Sequence, residues 1–96
     1  MTLHAQALVY SDDPSALGAR IIASLRDAFR TEWAAEAGSV ADANGMCLLH
    51  AWPEGLRLDA YAENDAALDR VETALSKAIA EAAGVSTIDW YRRASV

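Results

Sequence analysis

The stretch that most constrains the fold of this chain is residues 45–62, which has the pattern of two strands joined by a tight turn. Pro53 and Gly55 are typical of the turn between them. In the second half, apolar and polar residues alternate strictly, and this period of two is typical of a half-buried strand. One face of that strand carries Leu56, Leu58, Ala60 and Ala62, and the other carries Arg57, Asp59 and Tyr61. The sequence therefore predicts a β-hairpin with one face against a core.

Two helical patterns flank this hairpin. Asp13 followed by Pro14 is typical of a helix start, because aspartate caps the free N–H groups and proline fits the first turn. The first helix ends near residue 30, and Gly84 ends the second helix, which asparagine and acidic residues at 63–65 cap. We expect Leu25 and Leu75 to be buried anchors of the two helices. The apolar stripes are Leu17, Ile21, Leu25 and Phe29 in the first helix, and Leu68, Val71, Leu75, Ile79 and Ala82 in the second.

Three further segments, residues 3–9, 31–37 and 86–92, have the composition of strands, and Gly38 and Ser39 are predicted to form a turn. Asn44 and Gly45 fit either a type I′ hairpin turn or a β-bulge inside one bent strand over residues 39–51, and we favour the bulge. The predicted order is β-α-β-β-β-α-β. This order indicates an α+β fold, a two-layer sandwich with two helices on one face of an antiparallel sheet. Residues 1–96 are expected to form a single domain.

Charge and composition exclude several classes of partner. The net charge of −6 argues against nucleic acid and against anionic membrane surfaces, and no run approaches the ~20 apolar residues of a membrane span. The glycines are isolated, so no phosphate-binding loop is predicted and we expect no cofactor. A single cysteine, Cys47, suits the reducing cytoplasm. Much of the 53% hydrophobic content is alanine, which makes a thin core and favours a homodimer.

The candidate functional surface follows from the register of the hairpin. If Leu56 pairs with Ala51, the strand faces that turn away from the core carry several apolar side chains, and such a face is too apolar to be simply solvated. We interpret it as a homodimer interface centred on Leu48 and Trp52, with a small-ligand groove as the alternative. A register shift of one residue would bury this face instead. The candidate ligand or interface residues are Leu48, His50, Trp52, Arg57, Asp59 and Tyr61. The opposite charges of Arg57 and Asp59 are expected to pair across a twofold axis.

Catalytic and metal-binding interpretations have less support. Cys47 and His50 are three residues apart, and positions an odd number apart on a strand face opposite ways, so we expect no metal site. An acid–base cluster of His50, Asp59, Tyr61 and Asp89 is a second interpretation. We therefore expect a non-catalytic binding or assembly module, with a small enzyme or small-ligand carrier using the face around His50 as the alternative.

A series of short motifs runs along the chain, namely Asp13-Pro14, Trp33, Gly45-Met46-Cys47-Leu48-Leu49, Pro53-Glu54-Gly55-Leu56, Ala67-Leu68-Asp69-Arg70-Val71-Glu72 and Thr87-Ile88-Asp89-Trp90. With these motifs, nearly the whole chain resembles the bacterial domain of unknown function 2218 family. The resemblance implies a small cytoplasmic protein, and because some members occur beside or fused to siderophore-interacting reductases, it implies a role linked to iron. Members of the family carry a histidine in each helix, whereas this chain has Ser24 in the first and none in the second.

Overall fold

The structure, a computed structural model, describes residues 2–85 and 88–95, with side chains over 2–85 and 88–92. The order of elements is β1 (Thr2–Tyr10), α1 (Pro14–Leu25), β2 (Arg30–Ala34), β3 (Ala37–Ala41), β4 (Gly45–Trp52), β5 (Gly55–Ala62), α2 (Asp65–Ala83) and β6 (Tyr91–Ser95). The strands form one antiparallel sheet in the order β2-β3-β4-β5-β1-β6. Both helices pack on the same face of it. The predicted α+β two-layer sandwich is confirmed.

Local signals in the sequence set the helix ends. The Asp13 carboxylate accepts a hydrogen bond from the backbone N–H of Ala16, 3.2 Å away, and the Asn64 side chain accepts one from Ala67, at 2.8 Å. Gly84 ends α2 in the left-handed conformation, with φ of 72°, where glycine carries no steric penalty. α1 ends at Leu25, about one turn earlier than predicted, because Phe29 follows it in a looser turn although its ring still packs on the core.

The hairpin register is the one predicted, with Leu56 opposite Ala51. Cys47, Leu49, Leu58 and Ala60 are consequently buried beneath the helices. Leu75, which is completely buried, and Leu25, which is 9% exposed, belong to the same core cluster. The predicted core anchors are therefore confirmed. In the described part of the chain, neither helix is long and apolar enough to cross a membrane.

The turn between β2 and β3 lies three residues earlier than predicted. It is formed by Ala35 and Glu36, and Ala35 has a positive φ of 57°. Gly38 lies in β3 opposite Trp33, where a Cβ atom would be 2.6 Å from the Trp33 ring and 2.3 Å from the Glu32 carbonyl oxygen. The glycine at 38 thus permits close packing rather than a turn. An Ala-Glu pair carries no turn signal, which is why the prediction was wrong.

The favoured bulge at Asn44 and Gly45 is also wrong, because β3 and β4 are separate strands and the sheet has six strands instead of five. The Asp42 carboxylate closes the connection by accepting hydrogen bonds from the backbone N–H groups of Asn44 and Gly45, at 2.8 and 3.0 Å. Among the described residues only Ala35 and Gly84 have positive φ, so the turn is not of type I′ either. Aspartate supplies the turn geometry through its side chain.

Charged contacts attach two parts of the sheet to α2. Burial raises the pKa of Asp42, but the N–H groups of Asn44 and Gly45 and the Arg70 guanidinium outweigh it and hold that pKa below its usual value. At the β6 edge of the sheet, the Arg92 Nε donates to Glu72 at 2.7 Å, and the same guanidinium also pairs with Asp69. These pairs fix the β3–β4 turn and β6 beside the helix.

The last strand begins later than predicted, at Tyr91 rather than residue 86. Ile88 and Trp90 nevertheless pack against the core, and the Trp90 indole N–H donates to the Ser76 hydroxyl at 3.0 Å. Tyr91 points the other way and is 71% exposed. Residues 86 and 87, where the predicted strand begins, lie outside the described residues.

Candidate functional site

The face of the sheet opposite the helices, called the open face below, has its side chains arranged in rows across the strands. One row contains Leu48, Asp59, Gln6 and Tyr91, which follow one another from β4 through β5 and β1 to β6. The neighbouring rows contain Met46, Tyr61 and His4 on one side, and His50, Arg57 and Leu8 on the other. The last row contains Trp52, Gly55 and Tyr10.

The open face is where the large exposed apolar side chains of the described residues are concentrated. Leu8, Leu48 and Trp52 are 45%, 42% and 43% exposed, and Tyr10 and Tyr91 are more exposed still. All five belong to the rows just described. On an ordinary monomer, exposed apolar residues are scattered singly over the surface. Their concentration on one face is therefore typical of a binding surface.

Asp59 is the centre of a polar network on this face. Its Oδ1 atom lies 2.8 Å from the Nε2 atom of His4 and accepts a bond from the Gln6 amide at 3.2 Å. Its Oδ2 atom accepts a bond from the Arg57 Nε at 3.1 Å. The side chains of His4 and Asp59 are only 14% and 17% exposed, whereas that of Arg57 is 41% exposed. Asp59 thus fixes three neighbours, and its charge is offset within the same chain.

Ring contacts order the remaining side chains. The His4 imidazole is stacked on the Tyr61 ring, with centroids 4.5 Å apart and an angle of 2° between the planes. The Arg57 guanidinium carbon lies 5.9 Å from the centroid of the Trp52 ring, within the range of a cation–π contact. The centroid of the His50 ring lies 5.6 Å from that of the same tryptophan. Arg57 is therefore held by Asp59 on one side and by an aromatic face on the other.

A groove of about 560 Å³ lies at one end of the open face. The groove lies beside the last row, which has Gly55 in its middle, where an added Cβ atom would be 2.3 Å from the Val9 carbonyl oxygen. The groove has apolar walls from Leu8, Tyr10, Trp52 and Tyr91, and its polar groups come from Gln6, Glu54 and Arg57. Its size lies within the range of small-molecule sites.

The structure brings all six candidate residues onto the open face. Leu48, Trp52, Arg57, Asp59 and Tyr61 lie in adjacent rows, with His50 beside Trp52. It does not give Asp59 the partner that an acid–base cluster around His50 needs, because the histidine bonded to Asp59 is His4. Asp89 precedes β6 and is exposed to solvent.

The sequence interpretation missed the contribution of β1, where His4, Gln6, Leu8 and Tyr10 all point to the open face. Ala5, Ala7 and Val9 alternate with them and are buried. This alternation of small apolar residues with larger ones was the available signal. It shows that β1 has two different faces, whereas its composition alone indicates only an apolar segment.

Cys47 and His50 lie on opposite sides of the sheet, since Cys47 is buried and His50 is exposed. Burial, together with the nearby charge of Asp59, raises the pKa of the Cys47 thiol far above its usual value, and a neutral thiol is a poor metal ligand. Within the described residues, no group of three or more histidine, cysteine or acidic side chains is placed to hold a metal ion.

The fold defines the chain as a two-layer α+β sandwich with an uncovered sheet face. A comparison with models of protein families gave no match, and a search of curated proteins also gave none. Among solved structures, the chain is similar to the NMR structure of PA4090 from Pseudomonas aeruginosa, with a TM-score of 0.75. The two chains are 14% identical, and the alignment covers 97% of this chain and 96% of the other. At this identity the likeness shows the shared fold.

Proposed function

We propose that this protein is a non-catalytic binding or assembly module that acts through its open face, and that the partner is a second copy of the chain. The observation that carries the proposal is the collection of large exposed apolar side chains on one face, with Leu48 and Trp52 near its middle strands. Covering these side chains removes apolar area from water, which favours association.

The size of the open face suits a dimer. The six strands are spaced ~4.8 Å apart and are 5 to 9 residues long, at ~3.3 Å per residue, so the sheet is about 24 Å wide and about 16–30 Å long. Side chains that project from the sheet add to this area and bring it toward the ~800 Å² per partner of a standard protein interface. A second copy that presents the same face would therefore cover most of the exposed apolar side chains.

The charges on the face are compatible with this packing, although in a different way from the one expected. Arg57 and Asp59 bind each other within the chain instead of depending on a partner. A pair that is already neutralised enters an interface at a smaller desolvation cost than two separate charges do. Two copies therefore meet without an unpaired charge from these residues at the centre of the contact.

The test is sedimentation equilibrium at micromolar concentration on the parent and on Trp52→Glu. Thr73→Glu is the matched control, because Thr73 is exposed on α2, in the opposite layer. We expect the parent and the control to be dimeric and Trp52→Glu to be monomeric, since interface tryptophans typically contribute ~2 kcal/mol or more. A monomeric parent would contradict the dimer. A dimer that survives Trp52→Glu would move the interface away from the open face.

We further propose a cytoplasmic location and a link to siderophore metabolism. Support comes from the resemblance to the domain of unknown function 2218 family, whose motifs occur here in order from Asp13-Pro14 to Asp89-Trp90. The absence of histidine in both helices separates this chain from other members. If the link is correct, the abundance of the protein in its host should rise when iron is limiting. Unchanged abundance under iron limitation would argue against it.

A further inference from the structure

We propose that the groove between Trp52 and Tyr91 binds a small planar aromatic carboxylate, with Arg57 as the group that pairs with the carboxylate. The inference deepens the proposed binding role of the open face and rests on it. It does not require the dimer, and the experiments below separate the two.

The walls of the groove favour a flat aromatic ligand. Tyr10, Trp52 and Tyr91 line the groove with aromatic rings, and Leu8 adds an apolar surface to them. Aromatic rings are stabilised by offset or edge-to-face contacts beyond the effect of the area they bury. At about 560 Å³, the groove has room for a molecule of two fused rings.

Arg57 provides the charge that selects a carboxylate. Its Nε atom donates to Asp59, which leaves the two Nη groups for a second acceptor. Asp59 is itself held by His4 and Gln6, so the guanidinium is oriented from behind by a network of hydrogen bonds. Guanidinium and carboxylate are both planar and form paired hydrogen bonds, which makes a preoriented arginine a specific partner for this group.

Other ligand charges fit the groove less well. A neutral aromatic molecule would cover Arg57 without giving its two Nη groups a hydrogen-bond acceptor, and burying donors without a partner is costly. A cationic molecule would meet Arg57 directly. Glu54, the acidic residue of the groove, lies in the exposed turn between β4 and β5. Its charge repels an anion weakly through water. Removing that charge in Glu54→Gln is therefore expected to strengthen the binding of an anion, which is the opposite of the effect expected for a change at Arg57.

The experiment is a titration of the ¹⁵N-labelled full chain, followed by amide chemical shifts, with three probes that differ in charge. These are 2-naphthoate, its neutral analogue 2-naphthamide, and cationic 2-(aminomethyl)naphthalene. We expect 2-naphthoate to shift the amides of Leu8 and Tyr10 and the indole N–H of Trp52. It should bind about tenfold more tightly than 2-naphthamide, because hydrogen bonds between two charged groups are stronger than those to a neutral amide. Equal affinity for the two probes would overturn the proposal.

Two variants locate the charge. Arg57→Met should abolish the preference for 2-naphthoate, whereas Arg20→Met, the same change at an exposed arginine of α1, should leave it intact. Glu54→Gln should tighten binding of 2-naphthoate and leave 2-naphthamide unchanged. Glu54→Gln also keeps the proposal testable if Arg57→Met fails to fold, as judged from the dispersion of its amide spectrum. A preference that survives Arg57→Met, or weaker 2-naphthoate binding in Glu54→Gln, would refute the assignment.

Sedimentation equilibrium with and without 2-naphthoate separates this inference from the dimer. A monomeric parent that binds 2-naphthoate in preference to 2-naphthamide would refute the dimer and support the groove. A dimeric parent that shows no preference between the two probes would support the dimer and refute the groove.

Discussion

Replacing Gly18 with alanine is expected to destabilise this protein, although the same change inside most helices is stabilising. Glycine in a helix interior is ~0.5–1 kcal/mol less favourable than alanine. In α1, however, a Cβ atom on Gly18 would lie 2.2 Å from Cη2 and 2.7 Å from Cζ3 of Trp33. Carbon atoms in ordinary contact are ~3.5–4.0 Å apart. The added methyl group therefore overlaps the indole by more than 1 Å.

A second glycine restricts how far the Trp33 ring can move. It also lies against Gly38 of β3, where an added Cβ atom would be 2.6 Å from its Cε3 atom. The indole is thus enclosed between a helix glycine and a strand glycine. Overpacking of this kind typically costs ~1–3 kcal/mol, and an overlap this deep belongs near the upper end. After subtraction of the helix-propensity gain of up to ~1 kcal/mol, we expect a net loss of roughly 2 kcal/mol.

The assay is urea denaturation followed by circular dichroism, at one fixed protein concentration because association alters apparent stability. The decisive comparison is a double-mutant cycle. In a Trp33→Leu background the obstacle is removed, and Gly18→Ala should then stabilise by ~0.5–1 kcal/mol. Ala23→Gly, at an exposed position of α1, is the control and should cost a similar amount. A Gly18→Ala variant at least as stable as the parent would refute the reasoning.

Three further outcomes are expected. Leu75→Ala should cost ~2–5 kcal/mol in urea denaturation, and more than Leu25→Ala, because Leu75 is fully buried and Leu25 is 9% exposed. The pKa of Asp42 in the folded protein lies below its ordinary value of 3.8. The ionised carboxylate therefore stabilises the fold fully above pH 3.8, and this stabilisation is lost as the pH falls through the folded pKa. The stability difference between the parent and Asp42→Asn should therefore shrink at acidic pH. Calorimetric titration with Zn²⁺ should show no stoichiometric binding, and sub-micromolar binding abolished by Cys47→Ala would contradict the opposed directions of Cys47 and His50.

The parts of the fold that were predictable from sequence depend on contacts close along the chain. The hairpin register follows from strict alternation over residues 56–62 and from a turn marked by Pro53 and Gly55. The helix starts follow from Asp13 and Asn64, whose side chains bond to backbone N–H groups three residues further on. Because each signal lies within a few residues of its effect, pattern and propensity are sufficient to read it.

The errors occur where a local pattern is overridden by distant packing. Glycine is common in turns, yet the role of Gly38 is to let the Trp33 ring of β2 pack closely against β3. With Gly38 inside β3, the chain must reverse at Ala35 and Glu36, and Ala35 accepts a positive φ that alanine seldom adopts. Similarly, Asp42 forms the next turn through its carboxylate, so Asn44 and Gly45 do not need the backbone conformation that their sequence favours.

The site shows the same limit more strongly. All six candidate residues were placed on the open face by alternation within one hairpin, namely Leu48, His50, Trp52, Arg57, Asp59 and Tyr61. His4 was not, because its contact with Asp59 spans 55 positions in sequence and exists only if β1 pairs with β5 rather than with another strand. Alternation determines which face a side chain occupies, but strand order determines its neighbours. The chemistry of the open face depends on those neighbours, since the orientation of Arg57 toward the groove derives from an aspartate that β1 holds in place.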